Sequence, residues 1–204
     1  MDSTNVFASL EGRNLPQGFN WINEPKEWAF CPEGLTVQAE PQTDFFRDPN
    51  GTVVKDSAHY LYTEQEGDFT FVTKVQSEMI DDYDAACMMV MLDDETWGKL
   101  CYEYTYKRPM IVSVVTKRLS DDCNSLEVPA QGVYLRITRF DDCFAFHYSL
   151  DGKWWEMVRY FTLPASSSVK IGIVAQSPTG NGCKVQFSNL NVSPEGIRDI
   201  RSGV

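Results

Sequence analysis

Short runs in which apolar and polar side chains alternate recur down almost the whole chain, separated by clusters of Gly, Pro, Asn and Asp. Period-two alternation marks an extended strand with one buried face, because successive side chains point to opposite sides. On this pattern strands are predicted at 35–39, 60–62, 68–75, 85–93, 99–106, 110–117, 133–140, 143–150, 154–161, 169–176 and 185–192. About eleven short strands with no amphipathic helix between them exclude a βαβ arrangement and predict an all-β, two-sheet antiparallel sandwich. Residues 85–92 barely alternate, which places that strand centrally in a sheet, covered on both faces.

The alternation also assigns side chains to faces. Leu100, Tyr102 and Tyr104 share one parity, with Lys99, Cys101 and Glu103 on the other. Val133, Leu135 and Ile137 oppose Tyr134, Arg136 and Thr138, and Phe144, Phe146, Tyr148 and Leu150 oppose Ala145 and His147. Asp151-Gly152 between strand-like flanks predicts a two-residue hairpin, since Asp-Gly tolerates the positive φ that such a turn requires. The following Trp154 and Trp155 must then point to opposite faces. Ser193-Pro194-Glu195 combines an N-cap, a first-turn proline and an acid, so a short C-terminal turn or helix is expected near 193–201. No repeat or interdomain linker interrupts residues 1–204, and one domain is expected.

Composition narrows the partners. Net charge is −11, from 18 basic and 29 acidic residues, which argues against nucleic acid and anionic membrane as ligands. Between Val75 and Gly98 seven Asp or Glu occur with no Lys or Arg, a pattern for solvated loops, a cation site or a docking patch for a basic partner. The start Met1-Asp2-Ser3-Thr4-Asn5 lacks the basic and apolar regions of a secretory leader, and the apolar run 85–92 is far shorter than a membrane span. Six cysteines, at 31, 87, 101, 123, 143 and 183, form no Cys-x-x-Cys pair and read as free thiols in a reducing compartment. A cytoplasmic location is expected.

Several segments in order match a known pattern. They are Asp68-Phe69, the stretch 84–90 (Asp-Ala-Ala-Cys-Met-Met-Val), 97–103 (Trp-Gly-Lys-Leu-Cys-Tyr-Glu), and 113–116 (Ser-Val-Val-Thr). Further along come 120–125 (Ser-Asp-Asp-Cys-Asn-Ser), Tyr134-Leu135-Arg136, 146–152 (Phe-His-Tyr-Ser-Leu-Asp-Gly), Arg159-Tyr160-Phe161 and 175–180 (Ala-Gln-Ser-Pro-Thr-Gly). From about Gly18 onward the chain resembles the regulation-of-enolase family, a domain of unknown function within the concanavalin A-like lectin/glucanase superfamily. The resemblance implies a jelly-roll sandwich. It supplies no catalytic residues.

Retaining glucanases of that superfamily set their carboxylates on one strand as Glu-x-Asp-x-x-Glu, about 5 Å apart. Here Glu103 is the one carboxylate on its strand, and a second acid would have to come from a neighbouring strand or from Asp121 or Asp122. His59 and His147, the two histidines, fit no nucleophile or zinc pattern, and His147 reads as a hydrogen-bonded sheet residue or a ligand contact. The stretches 81–84 and 121–124 offer hard oxygen ligands of the kind calcium takes, but neither matches an EF-hand and Asp-rich loops commonly form turns. No catalytic residue, metal ligand or cofactor is assigned.

A binding face is the remaining reading. The outward parity presents Lys99, Glu103, Arg136, His147, Arg159 and Gln176, with Tyr83, Trp97 and one of Trp154 and Trp155 as a rim. If a single curved sheet gathers them, polar groups and flat aromatic platforms converge, which is what sugar recognition needs. The alternative is an ordinary solvated sheet with cross-strand ion pairs. The leading expectation is a non-catalytic cytosolic binding module for a carbohydrate or small polar metabolite. A regulatory protein acting through contact with a protein partner, such as the glycolytic enzyme enolase, is the second, and a glycoside hydrolase-like enzyme the third.

Overall fold

Two antiparallel seven-stranded sheets packed face to face make up the body of the protein. The front sheet runs in the order β1 (Asn20–Ile22), β6 (His59–Glu66), β15 (Ser168–Gln176), β8 (Ala85–Asp93), β9 (Thr96–Thr105), β10 (Arg108–Lys117) and β11 (Leu119–Glu127). The back sheet runs β14 (Glu156–Thr162), β13 (Cys143–Ser149), β12 (Val133–Phe140), β7 (Phe69–Ser77), β16 (Cys183–Ser193), β3 (Gly34–Ala39) and β2 (Trp28–Cys31). A separate hairpin of β4 (Phe45–Arg47) and β5 (Val54–Asp56) lies outside both. The structure, a computed structural model, describes residues 5–164 and 168–204. Met1–Thr4, part of the stretch read above as lacking a leader, lie outside the described residues.

The predicted parities fill the space between the sheets. Leu100, Tyr102, Val133, Leu135, Ile137, Phe144 and Phe146 are all buried there with Phe69, Phe71 and Ile173. Phe146 and Phe161 meet edge to face at 4.7 Å, an arrangement that adds to plain area burial. Each fully buried side chain of this size contributes roughly 1.5–3 kcal/mol.

The front sheet has a second apolar face, as the unbroken run of β8 predicts. Cys87, Met89 and Met91 of β8, Trp97 and Cys101 of β9, Tyr60 of β6 and Val174 of β15 point away from the sandwich and would meet water if nothing covered them. The β4–β5 hairpin is that cover. Phe45 sits edge-on to both Trp97 and Tyr60, with ring centroids 6.4 Å away in each case.

Two local expectations require correction, and a third is narrowed. Residues 119–127, read in part as an Asp-rich loop, form edge strand β11, where exposed carboxylates suit a sheet border that must not recruit another chain. Asp151-Gly152 is not a two-residue hairpin: Tyr148 pairs with Glu156, and a longer loop lies between. Asp151 Oδ1 accepts the Lys153 and Trp154 N–H groups at 2.8 and 3.0 Å and shapes that loop. Of the turn or helix expected near 193–201 the turn is found, at 199–202, where the Ser202 N–H donates to the Asp199 carbonyl at 3.2 Å; before it the chain crosses the outer face of the back sheet. There the Ile197 N–H donates to Thr138 Oγ1 at 2.8 Å and the Glu195 carbonyl accepts from Thr70 Oγ1 at 2.7 Å, so sheet side chains satisfy the backbone groups a helix would have paired.

Gly152 has φ +72°, and a Cβ there would stand 3.2 Å from the Tyr134 ring. Gly152→Val is therefore expected to destabilise the fold by about 1–3 kcal/mol in chemical denaturation, through backbone strain.

Candidate functional site

The hairpin covers only part of the outer front face. Beside it lies a recess of about 390 Å³. Its floor is β9, β10 and the end of β15, and its walls come from the hairpin, from β11 and from the turns that carry Tyr83 and Tyr106.

Of the eight side chains predicted to form a binding face, Lys99, Glu103, Gln176 and Tyr83 line this recess. The side chain of Lys99 is buried, and its ammonium donates to Asp44 Oδ1 at 3.2 Å, the Phe45 carbonyl at 2.9 Å and Gln176 Oε1 at 2.7 Å. An ammonium has three N–H donors, so all are committed to protein acceptors. Burial works against the charge, but Asp44, followed by the Cys101 and Cys87 thiols and Glu103, holds the Lys99 pKa above its ordinary value. Lys99 thus fastens the hairpin to the sheet and has no donor left for a ligand.

Glu103 and Gln176 are differently placed. Both are more than nine-tenths buried. Thr105 Oγ1 donates to Glu103 Oε1 at 2.8 Å, and Gln176 Oε1 is taken by Lys99, but the second carboxyl oxygen and the amide Nε2 have no hydrogen-bond partner among the described residues. Burial pushes the Glu103 carboxyl up to about 7. Asp122, on the opposite wall, is also raised, first by burial, although its strand is exposed overall. At the lip Tyr83 meets Tyr106 edge to face at 6.1 Å, and the Tyr106 phenol followed by burial pushes the Tyr83 hydroxyl up to about 12.

The other four predicted residues lie elsewhere. Trp97 is 1% exposed beneath the hairpin, so it is core and not rim. Arg136 and His147 belong to the back sheet, whose outer face points away from the recess. The C-terminal segment covers them: His147 Nε2–H donates to the Ile200 carbonyl at 2.9 Å, and Arg136 stacks over Trp155 at 4.3 Å and donates to the Val204 carbonyl at 3.3 Å. Burial and then the Arg136 charge push His147 down to about 4. Arg159 of edge strand β14 reaches across to the front sheet, bonding the Ser113 and Asp121 carbonyls at 3.2 and 3.1 Å and Asp121 Oδ1 at 2.7 Å. It closes the seam between the sheets. Trp154 is exposed and Trp155 buried; both precede β14, and the Trp155 N–H donates to the Gly203 carbonyl at 2.9 Å.

Asp44, Phe46, Lys55, Tyr106 and Asn124 line the recess without having been predicted there. For the hairpin residues no local signal exists, because docking joins segments about 50 positions apart in sequence. Asp122 and Asn124 were legible: they share a parity within one polar run. Of the two acidic stretches considered for calcium, 121–124 is strand. In 81–84 Asp84 uses its oxygens internally, accepting the Ile80 and Asp81 N–H groups and the Ser177 hydroxyl at 3.0, 2.8 and 2.6 Å.

Two opposite titrations follow. Glu103, raised from 4.5 to about 7 on folding, contributes stability that is full below its unfolded pKa and lost as pH rises through 7. His147, lowered from 6.5 to about 4, contributes stability that is full above its unfolded pKa and lost as pH falls through 4. Each is worth up to about 3 kcal/mol, and between them the slopes oppose. Relative to wild type, Glu103→Gln is expected to gain stability as pH rises from 4.5 to 7, and His147→Gln as pH falls from 6.5 to 4. Denaturation curves across about pH 3–8, roughly one unit beyond each value, check both.

The architecture and sequence have relatives. A family model described as a protein of unknown function (DUF1349) matches residues 21–195. A curated relative from Saccharomyces cerevisiae, "Regulation of enolase protein 1", is 32% identical over 188 residues, covering 90% of this chain and 94% of its own length. The crystal structure of a functionally unknown protein from Saccharomyces cerevisiae superposes with a TM-score of 0.82 at 30% identity, covering 86% of this chain and 96% of that one. The carbohydrate binding module CBM66 from Bacillus subtilis superposes with a TM-score of 0.58 at 11% identity, covering 86% and 95%, a likeness of fold alone. Fold, family model and relative agree, and the chain belongs to the DUF1349 family.

Proposed function

We propose that the chain is a non-catalytic cytoplasmic binding module that takes a carbohydrate or small polar metabolite in the recess on the outer face of the front sheet. One observation carries this reading. Glu103 and Gln176 are buried, yet each keeps a polar atom without a protein partner where the recess opens. These two atoms open to the recess and are not sealed in the protein, so one acceptor and one donor are presented there for a ligand hydroxyl. The recess falls within the roughly 300–1,000 Å³ of small-ligand pockets, and Tyr83, Tyr106 and Phe46 offer the flat apolar surfaces that sugar rings use. The Bacillus subtilis neighbour of the same architecture is by name a carbohydrate binding module. Lys99 serves the site by holding the hairpin wall, while Arg136, His147, Arg159 and Trp97 serve the fold.

A second reading draws on the name of the yeast relative: regulation through contact with a protein such as enolase. Exposed Ile80 and Tyr106 beside acidic 81–84 would be its surface. A glycoside hydrolase-like activity, the third reading, would use Glu103 and Asp122.

A thermal-shift panel of mono- and oligosaccharides and polar metabolites tests the first reading. A ligand is expected to raise Tm by mass action, and Gln176→Ala and Glu103→Gln to abolish that rise. Arg136→Ala, on the opposite face, should lower Tm yet keep the rise. A rise indifferent to Gln176 and Glu103 overturns the recess as the site. A panel without any stabilising ligand, together with co-elution of purified enolase, gives the second reading the lead. Release of reducing ends by the same samples would establish the third.

A further inference from the structure

The recess holds charges that its own lysines do not match. Lys99 is paired with Asp44 at 3.2 Å and has spent its donors. Lys55, also in the wall, directs its ammonium to the Pro178 carbonyl at 3.4 Å. Glu103 and Asp122 take part in no ion pair among the described residues, and Glu103 has Thr105 as a neutral partner. Burial, and further down the order the Asp122 charge, raise Glu103; Asp122, on an exposed strand, is raised by burial and by Asp44. A cation placed beside these two carboxyls would favour the ionised form of each. The unpartnered Gln176 Nε2 and the aromatic lip ask for something more than a bare cation: an acceptor oxygen and a ring face.

Building on the recess reading above, we propose that the ligand is an amino sugar, its protonated amine seated between Glu103 and Asp122, a ring hydroxyl accepting from Gln176 Nε2, and its ring against Tyr83 and Tyr106. Charge-assisted hydrogen bonds in a partly desolvated site are stronger than neutral ones, so the amine and not the ring selects the ligand. An anionic sugar meets two unpaired carboxyls and is rejected by the same groups.

Titration calorimetry with glucosamine, galactosamine and mannosamine, each against its neutral parent hexose and its N-acetyl derivative, tests the assignment. At least one amino hexose is expected to bind about tenfold or more tightly than both its parent and its N-acetyl form. Glu103→Gln and Asp122→Asn should each cut that preference from about tenfold to about twofold or less. Both substitutions are near-isosteric, and their unliganded Tm verifies folding. Equal binding of parent and amino hexose, with both lost in Gln176→Ala, overturns the amine seat and leaves the carbohydrate module standing. Tightest binding of the N-acetyl form overturns it equally. Absence of binding by any of these sugars also overturns it, while the wider panel decides the module itself.

Discussion

A lysine ammonium held by three oxygen acceptors beneath a hairpin determines most of what this protein presents to its surroundings. Lys99 lies on a sheet face that is apolar for most of its length, and its charge is tolerable there only because Asp44, Phe45 and Gln176 surround it. Those acceptors come from the segment leading into β4 and from the end of β15, so satisfying one charge fixes the hairpin over the sheet. Phe45 then completes the cover over Trp97 and Tyr60. Where the cover stops, the recess begins. Loss of either partner of so buried a pair is far more damaging than never having had the pair, because the remaining charge cannot regain its water.

The alternation along the chain made the sandwich legible. The parities assigned within β9, β12 and β13 are the ones observed, except that Leu150 falls beyond the end of β13 and is exposed, and β8 is covered on both faces as its unbroken apolar run requires. What alternation cannot supply is the sheet to which a strand belongs. Glu103 and Arg136 both carry the parity that avoids the core, but β9 is a front strand and β12 a back strand, so the same parity sends them to opposite sides of the molecule. The site prediction failed at that step: it gathered onto one surface residues that two surfaces share. Short β1, β2, β4 and β5 have too few residues to show a period, and polar β11 shows none because neither of its faces is fully buried. Their strand character comes from the neighbours they pair with.

The two outer faces are finished by different means. On the front, a hairpin covers the apolar half and leaves the polar half open. On the back, the segment after β16 lies across β12 and β13, and its carbonyls take the protons of Arg136 and His147. Arg136 Nε and His147 Nδ1 have no hydrogen-bond partner among the described residues, so the back face gains order at the expense of incomplete polar pairing. A buried Arg and His side by side are commonly read as a functional site. Here the covering chain accounts for their burial.

Strand β11 faces two ways, and its neighbouring residues Asp121 and Asp122 hold unrelated posts. Asp121 binds Arg159 and closes the seam between the sheets, and Asp122 enters the recess on the other side. A bulge opposite Ile111 and Val112, on the Ser125 side, absorbs one irregular residue within the β10–β11 ladder. On the Leu119 side the pairing is regular as far as Lys117. Gain or loss of a single codon there would turn Asp121 outward and Asp122 inward, removing seam and recess wall in one step. Among descendants of this chain, substitution in β11 is therefore open to drift at most positions, whereas length variation before Asp121 is not.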